Sequence, residues 1–140
     1  MPTVAECGGF LYLQRQLTDA EGALRPMVGA LPGTAGNLGK LRQFGYVTVT
    51  ALSECVCCDA GESIRAHEFH YWHSDAQGDA FVARKPSSSA SWPCIVATDS
   101  LMAGFPHVYY PANPSFARRF VETMARRRAK RTAGIDGAEE

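Results

Sequence analysis

The run Thr3-Val4-Ala5-Glu6-Cys7-Gly8-Gly9 constrains what this chain can fold into more than any other stretch. Residues 2–7 read as a short buried strand that ends on a thiol. Two glycines follow, then Phe10, Leu11, Leu13 and Leu17 at the spacing of a helix face packed on a core. A strand that passes through a reactive side chain and a glycine directly into a helix is a nucleophile elbow. The tight turn lifts the side chain clear of the sheet, and a glycine such as Gly8 lets the backbones approach. Few helices and many short strands elsewhere in the chain suggest a mixed α/β sheet and not a bundle. A thiol at a helix N-terminus also feels the positive end of the dipole, which is expected to lower its pKa toward the thiolate. The same pattern suits a buried structural cysteine.

Most of the remaining periodicity is that of strands. Leu17 to Gly22 reads as a turn, Pro26 to Pro32 as a short strand between prolines, and Gly33 to Gly39, with three glycines, as a flexible loop. Phe44 to Leu52 alternates, with Tyr46, Thr48 and Thr50 on one side and Val47, Val49 and Ala51 on the other, which predicts a half-buried strand. Glu62–Tyr71, Phe81–Arg84, Cys94–Thr98 and Phe105–Tyr110 are further strand-like runs, and Pro86 to Ser91 is a polar loop. Asn113-Pro114 supplies an N-cap and a first-turn proline for a last helix, on which Phe116, Phe120 and Met124 form the apolar stripe. Beyond Arg131 the chain is small, polar and acidic. One domain over residues 1–131 with a disordered tail over 132–140 is the expected organisation, a mixed sheet flanked by helices.

Several groups besides Cys7 bear chemistry. His107, near the end of a strand, is the candidate base that takes the Cys7 proton and returns it to a leaving group. Alone it reads better as a hydrogen-bonded core histidine; the company of Cys7 is what raises it. The block His67-Glu68-Phe69-His70-Tyr71-Trp72-His73, with Cys55, Cys57 and Cys58 upstream, invites a zinc reading. In a strand, however, His67 and His73 share a face but lie about 20 Å apart while His70 points the other way, and the cysteine spacing matches no zinc knuckle, so no metal is expected; a helix would revive the idea. Arg126 to Arg131 is a basic helix end that suits the dipole.

Composition narrows the class. Lys plus Arg and Asp plus Glu both number 14 in the 140 residues, leaving no net charge to draw a polyanion, so no nucleic-acid partner is expected. No apolar run approaches the ~20 residues of a membrane span, and the first residues lack the pattern of a signal peptide. Five cysteines, an odd number, fit reduced thiols and a cytoplasmic location.

The run Ala5 to Leu13 resembles the nucleophile segment of the glutamine amidotransferase domain in cobyrinate a,c-diamide synthases. The similarity extends through Pro26-Met27-Val28-Gly29, Phe44-Gly45-Tyr46, Arg65 to Tyr71, and Ala103-Gly104-Phe105-Pro106-His107 with Asn113-Pro114. It implies the C-terminal part of a class I glutamine amidotransferase-like domain, of the cobyrinate and cobyric acid synthase branch. By that resemblance Cys7 is the nucleophile, His107 the catalytic histidine, and Gly8 belongs to the elbow and oxyanion backbone. His67, Glu68 and His70 would line the site. Class I relatives generally place a glutamate two residues after the histidine; here that position is Tyr109, and Glu68 is the candidate replacement that orients His107.

The family uses glutamine as ammonia source and amidates the a and c carboxylates of a corrinoid, cobyrinate or hydrogenobyrinate, in cobalamin biosynthesis. No cofactor is expected in this chain; ATP and magnesium act in an N-terminal domain absent from it. A separate ATP-binding subunit or a homodimer is the implied partner. Without the preceding strands the sheet is expected to have an unpaired edge, and the chain alone to hydrolyse little glutamine. The competing expectation is a catalytically inactive remnant acting as an interaction module.

Overall fold

The computed structural model describes the backbone of residues 1–136 and the side chains of residues 1–132. Three small sheets share the core. In the first, β1 (Thr3–Glu6) lies parallel to β11 (Leu101–Gly104), with Glu6 opposite Gly104, and β10 (Val96–Ala97) runs antiparallel on the far side of β11. The second holds β12 (His107–Val108), β6 (Ser63–His70), β5 (Gln43–Ala51), β8 (Phe81–Arg84) and β9 (Ser91–Cys94) in that order, all antiparallel. The third orders β3 (Leu24–Pro26), β2 (Gln16–Thr18), β4 (Thr34–Asn37) and β7 (Trp72–Ser74). Helix α1 (Gly8–Leu13) follows β1 directly, and α2 (Ser115–Asp136) closes the described chain. This is a mixed α/β architecture, with the sheets flanked by helices as the sequence leads one to expect.

The main core grows from the alternation of β5 and β6. Val47, Val49 and Ala51 are buried, as are Ile64 and Ala66 across the ladder, and they pack with Phe81, Ala83 and Phe116. Burying each large apolar side chain of this kind contributes about 1.5–3 kcal/mol. Tyr46, on the opposite face of β5, is 74% exposed. A second cluster of Phe10, Leu11, Leu31, Ala35 and Phe105 joins α1 to the four-stranded sheet.

Several local expectations are corrected. Leu17 is not on the first helix, which ends at Leu13; it lies in β2 and packs against the second cluster from there. Pro26–Pro32 is not a strand beyond Pro26, because β3 ends there. The glycine-rich stretch is not a loop throughout: Thr34–Asn37 form β4 between β2 and β7, with Ala35 fully buried. Gly33 just before it serves close approach, since a Cβ there would run into Gln14 Oε1, Ala76 and Asp75. Leu101–Gly104 forms a strand that the sequence reading passed over, and Phe105–Tyr110 is extended only at His107–Val108. On α2 the buried stripe runs from Phe116 to Thr123, and Met124 is exposed. Of the tail, residues 132–136 continue α2, and 137–140 lie outside the described residues.

Candidate active site

Cys7 sits at the junction of β1 and α1 with φ 47° and ψ −103°, a left-handed backbone that a non-glycine residue adopts at a cost. Its amide donates to Gly104 O at 2.8 Å and its carbonyl accepts from Leu11 N at 2.9 Å, so the turn is held from both sides. This is the strained elbow geometry. The space where a Gly8 Cβ would project is open to 4 Å, leaving room above the turn. The thiol is partly buried. Contrary to the dipole argument, its pKa is raised: desolvation pushes it up and the Glu6 carboxylate adds to that, while the Gly8 N–H pulls the other way. A six-residue helix brings a single amide to the sulfur, too little to offset burial.

His107 lies on β12. It pairs with His67 of β6, which in turn pairs with Tyr46 of β5, so the three side chains form a row on the exposed face of the five-stranded sheet. His67 meets the Tyr46 ring edge-on at 5.2 Å and the Phe44 ring at 5.9 Å. A surface pocket of about 500 Å³ opens there, lined by Tyr46, Arg65, His67, His107 and Tyr109 among others. Cys7 does not line it. Among the described residues, Cys7 Sγ and His107 share no hydrogen bond.

What joins their segments is Glu6. Its Oε1 accepts from Val108 N–H at 3.2 Å and from Tyr110 Oη–H at 3.4 Å, tying the residue before Cys7 to the residue after His107. Sequence reasoning missed Glu6; the one signal was a carboxylate at the end of an otherwise apolar strand.

The second strand of interest is extended as expected, with Glu68 and His70 on one face and His67 and Phe69 on the other. Glu68, 2% exposed, accepts from Trp92 Nε1 at 3.2 Å and faces His70 Nε2 at 3.3 Å. His70 Nδ1 meets Trp72 O at 2.8 Å. Glu68 is thus committed to the buried face and does not orient His107, which projects from the other. His70 stacks on Phe105 at 3.9 Å, and Phe105 meets Phe10 of α1 edge-on at 5.0 Å, so the buried face borders the elbow through two aromatic rings. His73 belongs to β7 in another sheet. Among the described residues no group of three or more His, Cys, Asp or Glu side chains is arranged to hold a metal ion. No described helix is long and apolar enough to cross a membrane.

The family description of the CobB/CobQ-like glutamine amidotransferase domain matches residues 1–111. The chain belongs to that family. Within this CobB/CobQ-like group, the cobyrinate a,c-diamide synthase of Caldanaerobacter subterraneus subsp. tengcongensis is 32% identical over 124 residues, 87% of this chain and 27% of that protein. The synthase of Leptospira interrogans serovar copenhageni is 31% identical over 134 residues, 91% of this chain and 29% of that protein. The synthase of Salmonella typhimurium is 29% identical over 126 residues, 87% of this chain and 28% of that protein. The chain therefore spans less than a third of the length of these CobB/CobQ-like relatives.

Proposed function

We propose that this chain is the glutaminase portion of an ATP-dependent cobyrinate a,c-diamide synthase. Its other portion binds ATP and magnesium and activates the corrinoid carboxylates, in the cytoplasm. The observation that carries this reading is the strained elbow at Cys7, tied by Glu6 to the strand that bears His107. His107 takes the Cys7 proton, and the sulfur attacks the side-chain carbonyl carbon of glutamine. The carbonyl oxygen becomes an oxyanion held by backbone N–H groups, Gly8 among them. Collapse breaks the C–N bond; His107 gives its proton to the leaving ammonia. Water then cleaves the glutamyl thioester to glutamate and restores the thiol.

Two features support a missing half. Among the described residues β1, which leads into Cys7, pairs only with β11, leaving one edge free for another strand. The exposed Phe44, Tyr46 and Phe69 around His67 form an apolar strip suited to a covering partner. That strip also favours a second reading, a folded interaction module without turnover. The deciding experiment measures ammonia release from glutamine by the chain alone and after adding the candidate ATP-binding portion, with Cys7→Ser as control. Cys7-dependent release that rises sharply with the partner is the expected result. Brisk release by the chain alone overturns the need for a second half, and none under either condition favours the interaction module.

A further inference from the structure

Far from the elbow in sequence, the loop between β5 and β6 carries Cys55, Val56, Cys57 and Cys58, and the proposed reaction uses none of them. Cys55 N–H donates to Cys58 O at 2.8 Å, so the two cysteines face each other across a two-residue turn. Their sulfurs lie 3.5 Å apart. The loop is clamped on every side. Val56 N–H donates to Thr98 O at 2.8 Å, and Thr123 of α2 donates to Val56 O at 3.5 Å. Arg119 of α2 bridges Glu54 and Asp59, each at 2.7 Å, on either side of the cysteines.

The electrostatics favour one ionised sulfur. The hydrogen bond shared with Cys58 is the largest influence, and the Cys57 and Cys58 amides and Arg119 add to it, so the Cys55 thiol is held well below its ordinary range. The same bond pushes Cys58 up, leaving it protonated. Cys57 has no sulfur partner among the described residues and is pushed up to about 12 by burial and by its neighbours Cys55 and Glu6.

We infer that Cys55 and Cys58 form an oxidisable dithiol site that takes hydrogen peroxide, or a peroxide of similar size, and closes to an intrachain disulfide. The Cys55 thiolate attacks one peroxide oxygen: an S–O bond forms, the O–O bond breaks, and hydroxide leaves. The Cys58 sulfur then attacks the Cys55 sulfenic acid, forming the S–S bond; the departing hydroxyl takes the Cys58 proton and leaves as water. The protein loses two electrons and the peroxide gains them. The sulfurs must close by about 1.5 Å to reach the disulfide length. Cys55 is only 4% exposed, so a bulky disulfide reagent is kept out and only a small oxidant suits the site.

The test uses the full chain treated with hydrogen peroxide and mapped by mass spectrometry. The tryptic peptide Gln43–Arg65 carries Cys55, Cys57 and Cys58 but neither Cys7 nor Cys94. The expected result is loss of two hydrogens from that peptide, reversed by dithiothreitol, with no backbone fragments separating residues 55 and 58. Cys94, buried and pushed up to about 12, keeps its thiol. Cys57→Ser should form the bridge as before, while Cys58→Ser should stop at a dimedone-trapped sulfenic acid on Cys55. A wild-type peptide that keeps its hydrogens, or goes directly to sulfinic acid, overturns the assignment. So does fragmentation between 57 and 58, which would mean a Cys55–Cys57 bridge. These wild-type readouts hold even where a variant fails to fold.

Discussion

Cys7 and Cys55 sit in opposite kinds of surroundings. Cys7 is partly open, on a strained backbone, with one amide near its sulfur and the Glu6 carboxylate beside it, and its thiol is pushed up. Cys55 is buried in a relaxed hairpin turn where a thiol, two amides and a guanidinium converge, and its thiol is pushed down. Burial alone would have ordered them the other way. An elbow therefore supplies exposure and aim, whereas acidity comes from the number of donors that converge on the sulfur. On the proposed reading, Cys7 depends on a base such as His107 to be a nucleophile at neutral pH, and Cys55 needs none to react with an oxidant.

The largest test of the contrast is deletion. With the ATP-binding portion supplied, Cys7→Ser should lower ammonia release ~10⁴-fold or more, the scale seen when a nucleophile is removed from a catalytic unit. Cys55→Ser, measured beside it, should leave release within about twofold. A larger effect of Cys55→Ser at matched stability would break the separation of the two sites.

Next in size is packing. Phe116 is fully buried where α2 covers the cysteine loop. Phe116→Ala should destabilise the fold by about 3–5 kcal/mol in urea denaturation. It should also open Cys57 and Cys58 to a bulky thiol reagent, while Cys7 labels at an unchanged rate. Equal acceleration at Cys7 would mean that the two regions unfold as one.

What the sequence revealed divides along the same line between local and distant. The alternation of Val47, Val49 and Ala51, and the opposite faces of His67 and Glu68, were legible because a period of two is written into the strand itself. The elbow was legible for the same reason, since strand, thiol and glycine are consecutive. β4 was not, because Ala35 owes its burial to β2 and β7, which come from elsewhere in the chain. The α2 stripe went astray at Met124 because four-residue steps rotate by about 40° each around a helix, so the third contact falls at Thr123. The role of Glu6 depends on a bond to Val108 across 102 positions, which no local pattern encodes. The facing of Cys55 and Cys58 likewise exists only once the turn is folded.

A pH series sharpens the contrast further. A thiol above its ordinary value of 9.0 is less than ~1% ionised at pH 7. Alkylation of Cys7 by iodoacetamide should therefore climb about tenfold per unit from pH 7 to 9. Peroxide consumption at Cys55, whose thiol is held low by its hydrogen bonds, should change far less over that window. Stability has its own sign. Cys57 and Cys94 are both raised in the folded state to about 12, so their contribution is fully present below pH 9.0 and is lost as pH rises toward 12. The melting temperature should accordingly fall above pH 9. A melting temperature unchanged between pH 8 and 11 would contradict the burial of these two thiols.

The smallest expected effect comes from Glu6, which acts on Cys7 in two ways that can be separated. Its charge raises the Cys7 pKa, and its Oε1 holds Val108 N–H and Tyr110 Oη–H near the elbow. Glu6→Gln removes the charge but keeps an amide oxygen that can accept both bonds. Cys7 should then ionise more readily, and its alkylation at pH 7.5 should rise a few-fold, since one pKa unit is worth about 1.4 kcal/mol and only part of a unit is at stake. Glu6→Ala removes charge and tether together, so alkylation should rise likewise while glutamine turnover falls about tenfold, the cost of a displaced positioning contact of about 1.4 kcal/mol. A tethering role predicts that the Gln variant retains turnover and the Ala variant loses it, with the loss in kcat and not in KM. If both variants turn over alike, Glu6 tunes only the thiol, and the bridge between the elbow and the His107 strand has no part in catalysis.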